Sequence, residues 1–255
     1  MTHSENESLP TFWQCPNLAW LEGRIGLQPI SELWVSRNRR DWDTALKCYW
    51  ENPSVKKNLE IEAYMDKLNP EAIKRLDRHE WYTFLNKYFR WKFTDPRFLQ
   101  TRLNDLDTNS LETLFSIKEK LFAFDPSDIQ KGLGITTSKK GIKGLGPAGA
   151  SGLLAVLFPK WFGTADTFVV KALCNIESLP ERRKILAMVR RDPKNKEYVQ
   201  LNEKDAVLLI DIMRRKAIDL NALFGTVEWT PRKVDMILWN TRDTPDARCS
   251  SRMTS

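Results

Sequence analysis

The sequence predicts an all-α fold, a helical bundle in two lobes, and three observations carry that prediction. A capping residue followed by proline recurs along the chain, as at Asn52-Pro53, Asn69-Pro70, Asp95-Pro96, Asp125-Pro126 and Thr230-Pro231. A short polar side chain accepts from the free amides of a first turn, and proline at the first helical position has the right φ and no amide to orphan. Helical periodicity follows most of these starts, and sustained period-two alternation is absent.

Taken in order, residues 1–12 are polar and aperiodic and read as a disordered tail. Residues 13–125 read as an N-terminal helical region, with Arg37, Arg39 and Arg40 as a basic cluster that reads as a solvated loop or, alternatively, a phosphate contact. Trp81 to Phe93 holds seven aromatics in thirteen residues. Of these, Trp81, Phe84 and Tyr88, with Leu85, form one helical stripe suited to a core. At the expected helix end, Arg90-Trp91-Lys92-Phe93 interleaves cations with aromatics. That composition suits stacking on an extruded base or wedging into the gap it leaves, and makes Trp91 and Phe93 the candidates. A further helix starts at Asn109-Ser110, with Leu111, Leu114, Phe115, Leu121 and Phe122 as its apolar set. Near Asp125 to Ser138 helical pattern gives way to glycine and threonine, and there a second lobe, residues 126–240, is expected to begin. After Asn202 the apolar set is Leu209, Ile212, Met213, Ala217, Leu220 and Leu223, with Gly225 placed to end the helix. Residues 241–255, from Thr241 on, read as a second disordered tail.

Composition narrows the function. A net charge of +7 and a pI near 9.2 favour a polyanionic partner, of which the phosphate backbone is the commonest. The cysteines Cys15, Cys48, Cys174 and Cys249 lie far apart with no CxxC spacing, which supports no disulfide framework, zinc ribbon or four-cysteine cluster. Two histidines, His3 and His79, leave little for a Ser-His-Asp triad. No run approaches 18 apolar residues and no leader pattern opens the chain, so a reduced, intracellular protein of the cytoplasm or nucleoid, acting as a monomer without a membrane, is expected.

The chemistry concentrates in residues 139–173. Gly144-Leu145-Gly146 is a tight loop, and Pro147 suits the first position of the apolar helix that follows. Such a loop aims backbone amides outward at a helix N-terminus, where amides and dipole both favour an anion. Between Asp128 and Asp166 there is no acidic residue, while Lys131, Lys139, Lys140, Lys143 and Lys160 fall in that interval. Asp166 is the first carboxylate to break the basic stretch.

Ile142-Lys143-Gly144-Leu145-Gly146, with Ala150 and the apolar run Leu153 to Leu157, resembles the hairpin and second helix of the helix-hairpin-helix DNA glycosylase superfamily, the endonuclease III-like group. Ala165-Asp166-Thr167-Phe168-Val169 resembles that family's Val-Asp-Thr-His-Val-like string, twenty-two positions after Gly144 as in the family, with Phe168 where histidine is usual. The clear resemblance covers residues 139–174. It implies that Asp166 is the catalytic carboxylate. Lys139, Lys140, Lys143, Gly144, Leu145, Gly146 and Ala148 would contact the DNA backbone, and the hairpin could take a monovalent cation, K+ or Na+. Bifunctional members carry a lysine two residues after the second glycine. Ala148 stands there and cannot form an imine, so the resemblance implies a monofunctional enzyme without lyase activity. The four-cysteine cluster after the catalytic helix is missing too, so no iron–sulfur cluster is expected.

The expected partner is double-stranded DNA carrying a damaged or modified base, flipped out so that its N-glycosidic bond can be hydrolysed. Oxidised or alkylated bases would fit genome repair, and a bulky modified base such as glycosylated cytosine in phage DNA would fit defence. A non-catalytic helix-hairpin-helix DNA-binding protein is the alternative, since aspartate is also a preferred N-cap. A basic helical scaffold with an accidental hairpin is the third reading.

Overall fold

A computed structural model describes residues 28–137 and 141–241, and these residues form fourteen helices and one two-stranded sheet. The chain is all-α, as the patterning predicts. The expected tail 1–12, Lys139, Lys140 and residues 242–255 lie outside the described residues.

Local capping sets most of the helix starts. Asn52 accepts from Ser54 N to start α3 (Pro53–Lys57), after α1 (Ile30–Val35) and α2 (Arg39–Glu51). Asn58 leads into α4 (Leu59–Asp66), and Asn69 accepts from the Glu71 and Ala72 amides at the start of α5 (Pro70–Arg75). Asp77 and Glu80 form a reciprocal capping box on α6 (Arg78–Lys92), each side chain taking the other residue's amide. Asp95 starts α7 (Pro96–Asp107) and Ser110 starts α8 (Leu111–Ala123).

The pair Asp125-Pro126 behaves differently. Asp125 accepts from the Ser127 amide and hydroxyl and so closes a turn, and α9 (Ile129–Thr136) starts four residues later with Asp128 as its cap. Arg214 decides this by donating to the carbonyls of Pro126 and Ser127. The segment expected to lose helical character is therefore helical, its threonines turned inward: Thr136 Oγ1 donates to the Gly132 carbonyl and Thr137 Oγ1 to that of Leu133.

The central element is α10 (Pro147–Leu157), whose residues from Gly149 to Leu157 are all buried. A helix apolar on every side belongs inside. It packs against α6, α9, α13 (Glu203–Phe224) and α14 (Pro231–Thr241). Between these come α11 (Thr167–Cys174), α12 (Arg182–Leu186) and a short antiparallel ladder not anticipated from sequence. The ladder pairs β1 (Val189–Arg191) with β2 (Glu197–Val199), in register Val189 to Val199. Its turn is tied by Asp192 accepting from the Lys194 and Lys196 amides.

One apolar cluster runs from Ile30 to Leu238. Helix α2, near the start of the described chain, packs on α14 at its end through Tyr49 against Trp239, and Asn52 donates to Asn240. Gly225, in the left-handed region at φ 61, ends α13 as expected. Thr241, read as the start of a tail, is instead the last residue of α14 and fully buried, its hydroxyl donating to the Leu238 carbonyl.

Candidate active site

The glycine turn is built as its sequence requires. Leu145 N donates to the Ile142 carbonyl at 3.1 Å, and Gly144 occupies the third turn position at φ 93, a value that excludes most side chains. A methyl group there would also press on Phe89 of α6 and on the Arg102 carbonyl of α7. The turn is thus seated on α6 and α7. Lys143 fixes the seat further: its amide donates to Asn109 Oδ1 and its exposed ammonium reaches the Thr108 carbonyl.

Among the described residues the amides of Gly144, Gly146 and Ala148 have no acceptor, whereas the Leu145 amide is spent within the turn and its side chain is buried. Leu145 is therefore a packing residue, its amide and side chain both turned away from the anion-facing role predicted for it. Residues 141–149 carry no side-chain oxygen, so a monovalent cation at the hairpin would rest on main-chain carbonyls alone.

Asp166 sits in extended conformation immediately before α11 and caps it, Oδ1 accepting from the Phe168 amide at 3.0 Å and the Val169 amide at 3.2 Å. Its other oxygen, Oδ2, is 3.2 Å from Lys92 Nζ, and the two side chains are 13% and 14% exposed, so the carboxylate is neither solvated nor sealed. The extended segment before it is clamped on two sides. Ala165 N donates to Ser151 Oγ, whose hydroxyl donates to the Ala148 carbonyl on the first turn of α10. Thr164 N donates to Asp235 Oδ2. The acid is thereby tied to the helix that the glycine turn begins.

Lys92 reaches it along a passage made by small residues. Tyr88 and Lys92 lie one turn apart on α6, and the Tyr88 hydroxyl donates to the Gly149 carbonyl. A Cβ at Gly152 would meet Tyr88 Oη at 2.6 Å and the Lys92 Cδ and Cε atoms at 3.5 Å. Glycine at that position lets the tyrosine close down and the lysine stem pass.

Beneath this pair lies a buried ionic network. Arg232 of α14 donates to Asp235 at 2.8 Å and to Glu62 of α4 at 3.3 Å. Glu62 also accepts from the Tyr49 hydroxyl and, at 2.6 Å, from Trp91 Nε1. Burial pushes the Asp235 carboxyl up despite Arg232 beside it, with Asp166 adding to the rise. Burial likewise raises the Tyr49 and Tyr88 hydroxyls. Burial works against the Arg232 cation, yet Asp235, Tyr49 and Glu62 around it hold its affinity for the proton above the ordinary value.

Of the two aromatics proposed for a base pocket, Trp91 is engaged with this network, half-buried, its ring 5.6 Å from that of Tyr88 and under the Arg232 guanidinium. Phe93 packs 5.5 Å from Phe89, under Arg102 and against Gly149. Both stand beside the lysine that reaches Asp166. Phe168 and Trp239, 6.1 Å apart and half-buried, are a second aromatic edge next to the acid.

The signal that Lys92 carries in the sequence is that it continues the stripe of Trp81, Leu85 and Tyr88 at helical spacing. Nothing local marked Glu62 or Ser151, whose partners lie far away in the chain. Two shallow depressions, of about 540 Å³ beside Tyr64 and Ile73 and about 760 Å³ beside Ile218 and Val227, are lined by none of Asp166, Lys92 and the hairpin. They hold no convergent charged cluster. Among the described residues no group of three or more His, Cys, Asp or Glu side chains is arranged to hold a metal, and no helix is long and apolar enough to cross a membrane. Comparisons with protein-family models, curated proteins and solved structures returned no match.

Proposed function

We propose that the protein is a DNA glycosylase that removes a damaged or modified base by hydrolysing its N-glycosidic bond. The observation that carries the reading is the placement of Asp166: an amide-capped carboxylate tied through Ser151 to the first turn of α10, where unaccepted amides follow the glycine turn. Those amides and the α10 dipole would hold a phosphate of the strand bearing the lesion, with Lys143, and with Lys139 and Lys140 outside the described residues, adding counterion release. Phosphate contacts of this kind fix register and leave the sequence unread.

A base inside duplex DNA is out of reach, so the nucleotide must be extruded. As the glycosidic bond breaks, positive charge builds on the sugar, and a preorganised carboxylate stabilises it and can take a proton from the attacking water. Asp166 Oδ1 is committed to the two helix amides, which leaves Oδ2 as the working atom. The half-buried rings of Trp91, Phe93, Phe168 and Trp239 are the surfaces against which an extruded base could stack.

The test is incubation with a panel of duplexes, each carrying one oxidised, alkylated or bulky modified base, followed by alkali to cut at abasic sites. Asparagine caps a helix about as well as aspartate. Asp166→Asn should therefore fold with α11 intact while base release falls by roughly 100-fold or more. Full activity in that variant would sink the reading. A non-catalytic DNA-binding protein is the second reading, favoured by the capping bonds and ion pair that already engage both carboxylate oxygens. Salt-sensitive affinity for duplex DNA with no alkali-labile product on any substrate would establish it.

A further inference from the structure

The reaction proposed above leaves an abasic sugar, which in its ring-opened form is an aldehyde, and an aldehyde beside a primary amine condenses to an imine. Helix α10 carries no lysine and so offers no amine. The amine at Asp166 comes instead from α6. Lys92 Nζ lies 3.2 Å from Asp166 Oδ2, and Asp166 is its hydrogen-bonding partner. Its stem is guided past Gly152, and its base is fixed one turn away by buried Tyr88. A surface lysine paired for solubility would need none of this: neither a glycine passage nor 14% exposure.

We propose that Lys92 is a covalent residue of the site, forming an imine with C1′ of the abasic sugar. The inference rests on the reading above in placing the sugar beside Asp166. In the first step the Lys92 ammonium passes a proton to Asp166 Oδ2, and the freed nitrogen lone pair adds to the aldehyde carbon while the carbonyl π electrons move to oxygen. One proton moves from nitrogen to that oxygen, giving the neutral carbinolamine. Asp166 then returns its proton to the hydroxyl, which leaves as water, and the nitrogen lone pair closes the protonated imine. One water is released, the carboxylate is regenerated, and the single positive charge of the ammonium reappears on the imine. The pairing explains why the two groups belong together: the carboxylate that steadies a sugar cation also carries the proton that the amine must shed and the hydroxyl must gain.

The experiment uses the full chain and a duplex holding one preformed abasic site, with borohydride to reduce any imine to a stable secondary amine. The expected result is a borohydride-dependent covalent protein–DNA adduct that peptide mass mapping places on Lys92, reduced at least about tenfold in Lys92→Arg, whose folding is checked by thermal melting. Asp166→Asn, which keeps the amine but removes the proton acceptor, should form the adduct more slowly. No adduct, an adduct on another lysine or on the α-amino group, or an undiminished yield in Lys92→Arg would overturn the inference, and mapping on the unmodified protein decides the matter even if the variant misfolds. Because the abasic site is supplied, the outcome is independent of base removal. An adduct on Lys92 without excision of any base would sink only the glycosylase reading, and excision without an adduct would sink only this one.

Discussion

Arg232 stands between two carboxylates, Asp235 and Glu62, in a place where all three side chains are almost wholly withdrawn from water. Ions so buried are tolerated because each has a partner, and removing one leaves the others with the full cost of desolvation. Arg232→Met should therefore destabilise the fold by about 3–5 kcal/mol, read from urea denaturation midpoints. A loss well under 1 kcal/mol would mean that Asp235 and Glu62 are uncharged or find other donors. The same arginine sets the stage for the site, since Asp235 holds the Thr164 amide two residues before Asp166. Sequence gave no warning of this at Glu62, whose partners come from α2, α6 and α14. Arg232 and Asp235, three apart on one helix, were visible as a pair, but their burial was not.

At the scale of elements, the contact of α6 on α10 determines where the lysine and the acid meet. Gly149 and Gly152 lie three apart on α10 and face Tyr88, Phe93 and Lys92 of the α6 end. Gly152→Ala would drive a methyl to 2.6 Å from the Tyr88 oxygen, so the two helices must separate. Overpacking of this kind costs about 1–3 kcal/mol, and the base release proposed above should fall with it, because Lys92 rides on α6 and Asp166 is tied through Ala165 and Ser151 to α10. Gly134→Ala in α9 is the matched control, with nothing within 4 Å of the added atom, and should instead gain about 0.4–1 kcal/mol. Equal effects of the two substitutions, compared by denaturation, would rule out the close approach as the cause. Helix starts were largely legible because a cap and its amides lie within three residues of one another. The exception, Asp125, lost its helix to a turn that Arg214 holds from 87 residues away.

For the molecule as a whole, acid should loosen the fold through its hydrogen-bonded carboxyls. Backbone amides at Glu80 and His79 hold the exposed Asp77 carboxyl below the usual 3.8, Arg97 does the same for Asp95, and the Ser127 amide and hydroxyl for Asp125. A carboxyl depressed in the folded state contributes stability above its unfolded value, and that contribution is lost as pH falls through the folded value. Asp235, raised by burial, acts with the opposite sign. The melting temperature should fall between about pH 5 and about pH 2.5, and the combined Asp77→Asn, Asp95→Asn, Asp125→Asn variant should lose less over that interval. An equal loss in protein and variant would show that these three carboxyls do not carry the acid sensitivity.

By itself the sequence determined the helical class, the glycine turn with its helix, and the place of Asp166 at a helix start a set distance along the chain. Each of these is a matter of hydrogen bonds and periodicity within a few residues, or of a short segment's own pattern. Tertiary structure alone decided that the acid meets Lys92, that Leu145 is spent on packing, that Trp91 serves a buried ionic network, and that α14 runs on through Thr241. Those outcomes depend on which distant segments share the core, because a charge becomes a partner or a burden only once its surroundings have lost their water.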